Sequence, residues 1–191
     1  MHKIFAWGAP ECVLERSQWV SVSPETAFQF FQDPYNLPRI TPAWLDFKIL
    51  KMEPAWIAQG TRIEYSLRWF GVKYRWRTLI ESWEPGVSFV DTQERGPYIL
   101  WHHTHTFERS GGGTLLKDRV RYRIPFGPIG SLARAVLVRR QLEGIFDYRM
   151  ARIAEVFTEG RVWREAPGVE AAMARDAARG NPGGDSSRVR R

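Results

Sequence analysis

The sequence has a single cysteine, Cys12, among 191 residues, and it lacks a long apolar segment. One cysteine excludes an intramolecular disulfide framework and a zinc site built from several cysteines. No apolar run approaches the roughly 20 residues that cross a bilayer. The first ten residues lack the basic start and apolar core of a signal peptide. We therefore expect a cytoplasmic protein with no transmembrane segment.

Short motifs of the common enzyme classes are also missing. The sequence contains no phosphate-binding loop, no dinucleotide-binding glycine pattern, no Gly-x-Ser-x-Gly and no His-Glu-x-x-His. These absences make catalysis of those classes a weak expectation, and we predict no cofactor. They leave open acid–base chemistry in a pocket, which needs only one or two placed groups.

Aromatic residues, in contrast, are abundant, with nine Trp, eleven Phe and six Tyr. Hydrophobic residues make up 43% of the chain, and the mean hydropathy is -0.39. This length and composition are typical of one globular domain. A domain of about 150 residues buries roughly 68–70% of its unfolded surface, so these aromatic side chains can form or line a large interior.

The net charge of +7 is concentrated toward the end of the chain. Seven Arg and four acidic residues give 161–191 a charge of +3, which leaves +4 for the first 160 residues. No recognition motif accompanies this charge, so we expect no nucleic-acid binding. We predict a folded domain over 11–160 and a basic, disordered C-terminal tail over 161–191, in which 169–179 could form a short helix.

Periodicity and turn residues predict one strand, two short helices, six more strands and a long helix. Ser23 and Pro24 follow the rule for a helix start, and Asp33 with the following proline stops that helix. Alternating residues interrupted by Gly and Pro predict an antiparallel meander. The predicted strands are 11–20, 44–53, 61–70, 72–83, 87–95, 99–109 and 114–124, and the later helices are 33–40 and 131–159.

These elements predict an α+β helix-grip fold, a curved seven-stranded antiparallel sheet wrapped around a long C-terminal helix, with two short helices after the first strand. One face of the curved sheet must be covered, and the last helix is the element long enough to cover it. Such a sheet and helix do not close completely when the strands are long. We therefore expect a cavity between them, reached under the short helices.

The most informative segment is 101–107. Side chains alternate between the two faces of a strand, so the two odd-numbered histidines share a face with the aromatic residues at either end. This set is Trp101, His103, His105 and Phe107. The aromatic ends predict that the set faces inward. Polar residues of matching parity on the neighbouring strands complete a predicted polar cluster of Asp91, Gln93, His103, His105 and Asp118.

Four interpretations of this cluster are open. Buried polar groups must be paired, and a histidine beside a carboxylate is a natural pair, which favours a structural network that specifies strand register. The same donors could orient the polar end of a ligand. A catalytic role would use His103 or His105 as general acid or base. His-x-His is also a metal-ligand spacing, but no cysteine lies nearby and the carboxylates are distant in sequence, so we expect no metal.

Arg149 interrupts the apolar stripe of the long helix, four residues after Ile145 and four before Ile153. Its guanidinium could form an ion pair or extend to the surface. The candidate acids are Asp118, Glu143 and Asp147. Alternatively, it could bind a carboxylate or phosphate of a ligand at the pocket rim. Arg75 and Arg77 alternate on a predicted strand, which indicates a solvated outer face.

Several different short motifs lie between residues 89 and 149. They are Phe89-x-Asp91-x-Gln93, Gly96-Pro97, Trp101-x-His103-x-His105-x-Phe107, Gly113-Thr114, Asp118-x-Val120-x-Tyr122, Pro125-x-Gly127 and Phe146-x-x-Arg149. Together with the order of elements over 11–159, they resemble a bacterial ligand-binding branch of the SRPBCC superfamily, which holds the START, pollen-allergen and polyketide cyclase/dehydrase groups. The resemblance implies binding of lipids, sterols or polyketides in the cavity below the long helix, and in some members cyclisation or dehydration of polyketides there.

We therefore expect an SRPBCC-like helix-grip domain over 11–160 that binds a hydrophobic or aromatic small molecule with a polar end. The expected binding residues are Trp76, Phe89, Asp91, Gln93, Trp101, His103, His105, Asp118, Tyr122 and Arg149. One alternative is a polyketide cyclase or aromatase in which His103 or His105 is the general acid or base. Another is an interaction module whose basic tail binds an anionic partner. The oligomeric state stays open, with a homodimer among the alternatives.

Overall fold

The computed structural model describes residues 10–54, 56–125 and 131–158, without the side chains of 131–135. The strands are β1 (Cys12–Val20), β2 (Lys48–Glu53), β3 (Arg62–Trp69), β4 (Val72–Glu84), β5 (Ser88–Arg95), β6 (Leu100–Ser110) and β7 (Gly113–Arg123). The α-helices are α1 (Pro24–Gln32) and α2 (Ser131–Thr158), and two 3-10 helices span Pro34–Ile40 and Ala43–Leu45. The predicted tail and its short helix lie outside the described residues.

The strands form one antiparallel sheet in the order β1-β7-β6-β5-β4-β3-β2. β1 and β2 are its two edges, so the sheet is not closed. The pairing of β4 with β5 shifts register twice, between Arg77 and Thr78 and between Ile80 and Ser82. Such bulges bend a strand and increase its twist, which curves this part of the sheet. The predicted α+β helix-grip architecture is confirmed.

The second predicted strand begins later than expected. Residues Ala43–Leu45 form a 3-10 turn in which the Asp46 N–H donates to the Ala43 carbonyl at 3.0 Å. Asp46 then adopts a left-handed conformation with φ of 42°, which Asp tolerates better than most residues. The 3-10 turn ends there, and β2 begins at Lys48. Alternation alone does not show this turn.

The helix start predicted at Ser23 is confirmed. The Thr26 N–H donates to Ser23 Oγ at 3.2 Å, and Pro24 occupies the first helical position. Phe28 of this helix is buried and packs edge-on against Phe107 of β6, with ring centroids 5.2 Å apart. α1 therefore covers one end of the sheet.

The apolar stripe of α2 packs into the concave face of the sheet. Its buried residues are Val138, Leu142, Phe146, Ile153, Val156 and Phe157. Gln18 Nε2 of β1 donates to the Met150 carbonyl at 2.8 Å, which ties the helix to the sheet edge. In the described part of the chain, no helix combines the length and apolar character that spanning a membrane requires.

Candidate functional site

A cavity of about 210 Å³ lies between the curved sheet, α2 and the first 3-10 helix. Most of its lining is apolar or aromatic. The polar lining residues are Asp33, Asn36, Thr41, Tyr65, Thr78, Asp91, Tyr98, His103, His105 and Arg149. Three of these are already engaged locally. Asp33 Oδ1 accepts the Tyr35 N–H, Asn36 Nδ2 donates to the Phe30 carbonyl and Thr41 Oγ1 donates to the Leu37 carbonyl. Four of the others lie along β5, β6 and α2, namely Asp91, His103, His105 and Arg149.

Strand β6 delivers the two histidines to this cavity. His103 and His105 are only 4% and 5% exposed, as the alternation around them predicts. In the antiparallel register, Asp91 on β5 lies opposite His103, and Asp118 on β7 lies opposite His105. We call these four residues the histidine–aspartate cluster.

The hydrogen bonds of this cluster run diagonally between the strands. His103 Nε2 donates to Asp118 Oδ1 at 2.9 Å, and His105 Nε2 donates to Asp91 Oδ2 at 3.0 Å. The other ring nitrogens also face carboxylates, with His103 Nδ1 at 3.3 Å from Asp91 Oδ2 and His105 Nδ1 at 2.9 Å from Asp118 Oδ1. Every ring nitrogen of the pair therefore has a carboxylate oxygen as neighbour, which links three strands.

Burial and charge move the pKa values of the cluster in opposite directions. Burial alone would raise the pKa of Asp91 and Asp118, but both lie below their usual range. The positive charge on His103 lowers the pKa of Asp91, and the Arg149 guanidinium lowers the pKa of Asp118. Hydrogen bonds from both histidines lower each pKa further. Burial opposes protonation of His103, yet the two carboxylates raise its pKa. Burial and the neighbouring charge of His103 lower the pKa of His105, so protonation favours His103 over His105.

Aromatic rings enclose the two imidazoles. The rings of His103 and His105 are 3.7 Å apart, and His105 stacks on Phe89 at 4.0 Å. Phe146 of α2 and Trp101 of β6 meet His103 edge-on, at 5.4 and 6.2 Å. This packing shields the histidine–aspartate cluster from water and strengthens its electrostatic interactions.

Three residues of the histidine–aspartate cluster could together hold a metal ion. Asp91, His103 and His105 each place one donor atom within 4.8 Å of the others. However, both Nε2 atoms already donate to carboxylates, so a metal would have to displace a proton from one ring and reorganise its hydrogen bond. The arrangement described is that of a hydrogen-bonded network, and the absence of a metal stays a prediction.

Arg149 lies on the cavity wall beside the cluster, with 12% of its side chain exposed. Of the three predicted acidic partners, the structure selects Asp118, whose Oδ1 is 3.9 Å from Arg149 Nη2. The guanidinium lies over the rings of Phe31 and Phe146, 5.3 and 5.9 Å from their centroids. Arg149 therefore pairs with an acid and also lines the cavity, and its binding of a ligand group stays a prediction.

Not every expected binding residue lines the cavity. Those that do are Trp76, Phe89, Asp91, Trp101, His103, His105 and Arg149. Asp118 and the buried Tyr122 lie behind that wall. Gln93 does not hydrogen-bond to the cluster, because its amide donates to the Tyr98 carbonyl at 2.7 Å and accepts the Tyr98 N–H at 3.2 Å. Gln93 thus satisfies the backbone of the β5–β6 hairpin.

Sequence reasoning missed a second polar group on the wall. Thr78 Oγ1 accepts from Trp76 Nε1 at 3.1 Å and pairs with the Tyr65 hydroxyl at 3.0 Å. Thr78 follows Trp76 by two residues, so alternation could have placed it on the same face. The cavity-lining residues of the first 3-10 helix, including Asn36 and Leu37, carry no such periodic signal. Arg75 and Arg77 lie on the outer face as predicted, and Arg77 Nε donates to Glu64.

Comparisons with known proteins place these features in context. The family described as "Polyketide cyclase / dehydrase and lipid transport" matches residues 20–146, more than half of the chain. No curated protein matches the sequence. The structure is similar to the di-domain ARO/CYC StfQ from the steffimycin biosynthetic pathway, with 17% identity, 79% of this chain and 51% of that chain covered, and a TM-score of 0.62.

Two further solved structures are similar in fold. Protein CV1439 from Chromobacterium violaceum is 17% identical, with 76% of this chain and 97% of that chain covered and a TM-score of 0.59. Ginseng major latex-like protein 151 from Panax ginseng is 12% identical, with 78% and 99% covered and a TM-score of 0.55. At these identities the likeness establishes the shared fold.

Proposed function

Because this chain belongs to the polyketide cyclase / dehydrase and lipid transport family, within the SRPBCC superfamily, we propose that its cavity binds a hydrophobic or aromatic small molecule with a polar end. The observation that carries the proposal is the cavity of about 210 Å³ between the sheet and α2, whose mainly apolar wall contains a few convergent polar groups. This combination is typical of small-molecule sites. Lipids, sterols and polyketide-like molecules are the ligand classes that we expect.

The apolar part of the wall suits a body with aromatic character. Trp76 and Trp101 meet edge-on at 5.2 Å, and Tyr98 packs against both, at 5.6 and 4.9 Å. All three line the cavity. Aromatic faces and edges provide large contact areas at little conformational cost, which favours rings or flat chains as ligands.

The polar part of the wall suits an oriented ligand. Asp91, His103 and His105 reach the cavity from the sheet, and Arg149 reaches it from α2. A few polar groups on one side of an apolar pocket fix the orientation in which a ligand binds.

The proposal is tested by native mass spectrometry of the protein purified from its own cells, followed by denaturation and identification of any released molecule. A defined small-molecule adduct is the expected result. A protein that is empty, and that also takes up no member of a panel of lipids, sterols and aromatic polyketides, would contradict it. That result would favour the interaction role of the basic tail.

A matched pair of variants separates the cavity from the surface. Leu67→Trp replaces an aliphatic side chain of the cavity wall by a larger indole ring and should abolish uptake of the panel compounds. Leu50→Trp makes the same change on β2, where Leu50 is 49% exposed and outside the lining, and should leave uptake unchanged. If Leu67→Trp takes up as much of a compound as Leu50→Trp does, the compound binds outside the cavity.

A second candidate function is catalysis of the polyketide cyclase or aromatase type. The observation that favours it is the pair of cavity-lining imidazoles, because a histidine within reach of a bound molecule can act as general acid or base. A poly-β-ketone probe should then give a cyclised product at a rate whose pH dependence follows the titration of one of the two histidines, above the ordinary histidine pKa for His103 and below it for His105. Under binding alone, His105→Ala weakens uptake of the probe and no product forms with either protein.

A further inference from the structure

Arg149 is the one expected binding residue that reaches the cavity from α2. It stands in the apolar stripe of the helix, between the half-buried Ile145 and the buried Ile153. With 12% of its side chain exposed, it is largely removed from water. A guanidinium stays charged under all ordinary conditions, so a buried one needs hydrogen-bond acceptors to offset its lost hydration.

Within the described residues, Arg149 has no such acceptor. Its Nε is buried and has no hydrogen-bond partner. Asp118 Oδ1 is 3.9 Å from Nη2, which is beyond hydrogen-bond distance, and that oxygen already has His103 Nε2 and His105 Nδ1 at 2.9 Å. The charge of Arg149 is therefore partly balanced by Asp118, but no residue in the described part of the chain accepts a hydrogen bond from its Nε.

The surroundings hold the guanidinium in place for such a molecule. Phe31 and Phe146 lie against it at 5.3 and 5.9 Å, and both rings line the cavity. Cation–π contacts of this kind fix the plane of a guanidinium without using its N–H groups. The fork of donors thus belongs to a cavity-lining side chain that is held against two rings.

We propose that the polar end of the ligand is a carboxylate, bound by the N–H fork of Arg149, on a hydrophobic or aromatic body that fills the rest of the cavity. The proposal rests on the proposed function and deepens it by naming the ligand class. A planar carboxylate matches the geometry of the fork, which can donate two parallel hydrogen bonds to it. A phosphate fits less well, because its second negative charge would lie near the buried Asp91 and Asp118 carboxylates.

The test compares ligands that differ only at the polar end. Dodecanoic acid, dodecanamide and dodecylamine form one series, and naphthalene-2-carboxylic acid, its amide and naphthalen-2-ylmethanamine form another. Isothermal titration calorimetry at pH 7.5 measures the affinity of each. At least one acid should bind about tenfold or more tightly than its amide, as one charge-assisted hydrogen-bond pair provides, and the amine should bind most weakly.

Variants on the same helix assign the preference to Arg149. Arg149→Met should bring the acid and the amide of the preferred series to similar affinities, and Arg149→Lys should keep part of the preference. Arg139→Met is the matched control, because Arg139 is 70% exposed and pairs with Glu143. It should preserve the full preference. Thermal unfolding of each variant checks that it is folded. If Arg149→Met is not folded, the reduced preference of Arg149→Lys makes the assignment, and equal binding of acid and amide by the wild type overturns the inference in either case.

The outcomes separate the two proposals. If the acid and its amide bind with equal affinity to the wild-type protein, the cavity binds ligands but Arg149 does not select a carboxylate, and the inference is overturned. A preference that survives in Arg149→Met also overturns it, since another group then binds the acid. If no compound of either series binds, the proposed function fails together with the inference.

Discussion

Asp118 accepts its hydrogen bond from His103 Nε2 at 2.9 Å, although the two residues are not opposite each other in the sheet. The register partner of Asp118 is His105, two residues further along β6. Asp91 repeats the pattern on the other side, since it lies opposite His103 and accepts from His105. The two diagonal bonds fix β5, β6 and β7 against each other. A slip of β6 by one residue would move His103 and His105 to the other face of the sheet, away from both carboxylates.

This network predicts a loss of stability in acid. The pKa of Asp118 is low in the folded protein and about 3.9 in an unfolded chain, so Asp118 stabilises the fold above about pH 4 and loses that contribution as pH falls further. The lowered pKa of His105 acts in the same direction from about pH 6.5 downward, whereas the raised pKa of His103 stabilises the fold on the acid side. Two arginines lie near Asp118. Arg149 faces it from α2, and Arg16 lies opposite it on β1 but pairs with Asp147.

Urea unfolding followed by Trp fluorescence between pH 2.5 and 7 measures this effect. Asp118→Asn should be less stable than the wild type at pH 7, and its free energy of unfolding should fall less steeply below pH 4. Asp147→Asn makes the same change at a side chain that is 65% exposed, and it should follow the wild-type curve. Parallel curves for Asp118→Asn and the wild type would show that Asp118 does not carry the acid sensitivity.

Thr78 should contribute to stability through its hydroxyl. Thr78→Val keeps the shape of the side chain but leaves the buried Trp76 N–H and the Tyr65 hydroxyl without their partner. We expect a loss of about 1–3 kcal/mol, the usual cost of leaving buried polar groups unsatisfied. Thr92→Val, at a half-buried position on β5, should change stability by less than about 0.5 kcal/mol. Equal changes in chemical denaturation would contradict the hydrogen-bond role.

Two glycines should respond in opposite directions to substitution by alanine. A Cβ at Gly113 would clash with the Val20 carbonyl oxygen and with the Trp19 ring, so Gly113→Ala should destabilise the protein by about 1–3 kcal/mol. A Cβ at Gly144 on α2 meets open space, so Gly144→Ala should stabilise it by about 0.5–1 kcal/mol through helix propensity. Thermal unfolding measures the change in stability of both variants. Changes of the same sign would contradict the difference in packing between the two positions.

The basic tail should be dispensable for the fold. The buried residues in the described core lie between Leu14 and Phe157, so a variant that ends at residue 160 should keep the wild-type unfolding temperature. Its uptake of panel compounds should also be unchanged. If the shortened protein loses binding to an anionic partner that the full chain retains, the interaction role of the tail gains support. Intact partner binding would exclude that role.

The sequence by itself determined the order of elements and the face that each residue occupies. Strand alternation, the Ser23 cap and the Gly and Pro positions are local signals, because they depend on backbone geometry within a few residues. They predicted the seven strands, the inward histidines and the long helix. Local signals failed where backbone hydrogen bonding took over, at the turn ending in Asp46 and at Gln93, whose amide satisfies the hairpin backbone.

Only the tertiary structure decided which polar groups meet. Alternation placed Asp91, His103, His105 and Asp118 on one face, but the choice of diagonal partners depends on strand register and ring orientation, which residues on three strands set together. The distance of 3.9 Å between Arg149 and Asp118 depends likewise on how α2 packs across the sheet. Such distances arise from packing between elements that are far apart in the chain, and no periodic pattern within one element contains them.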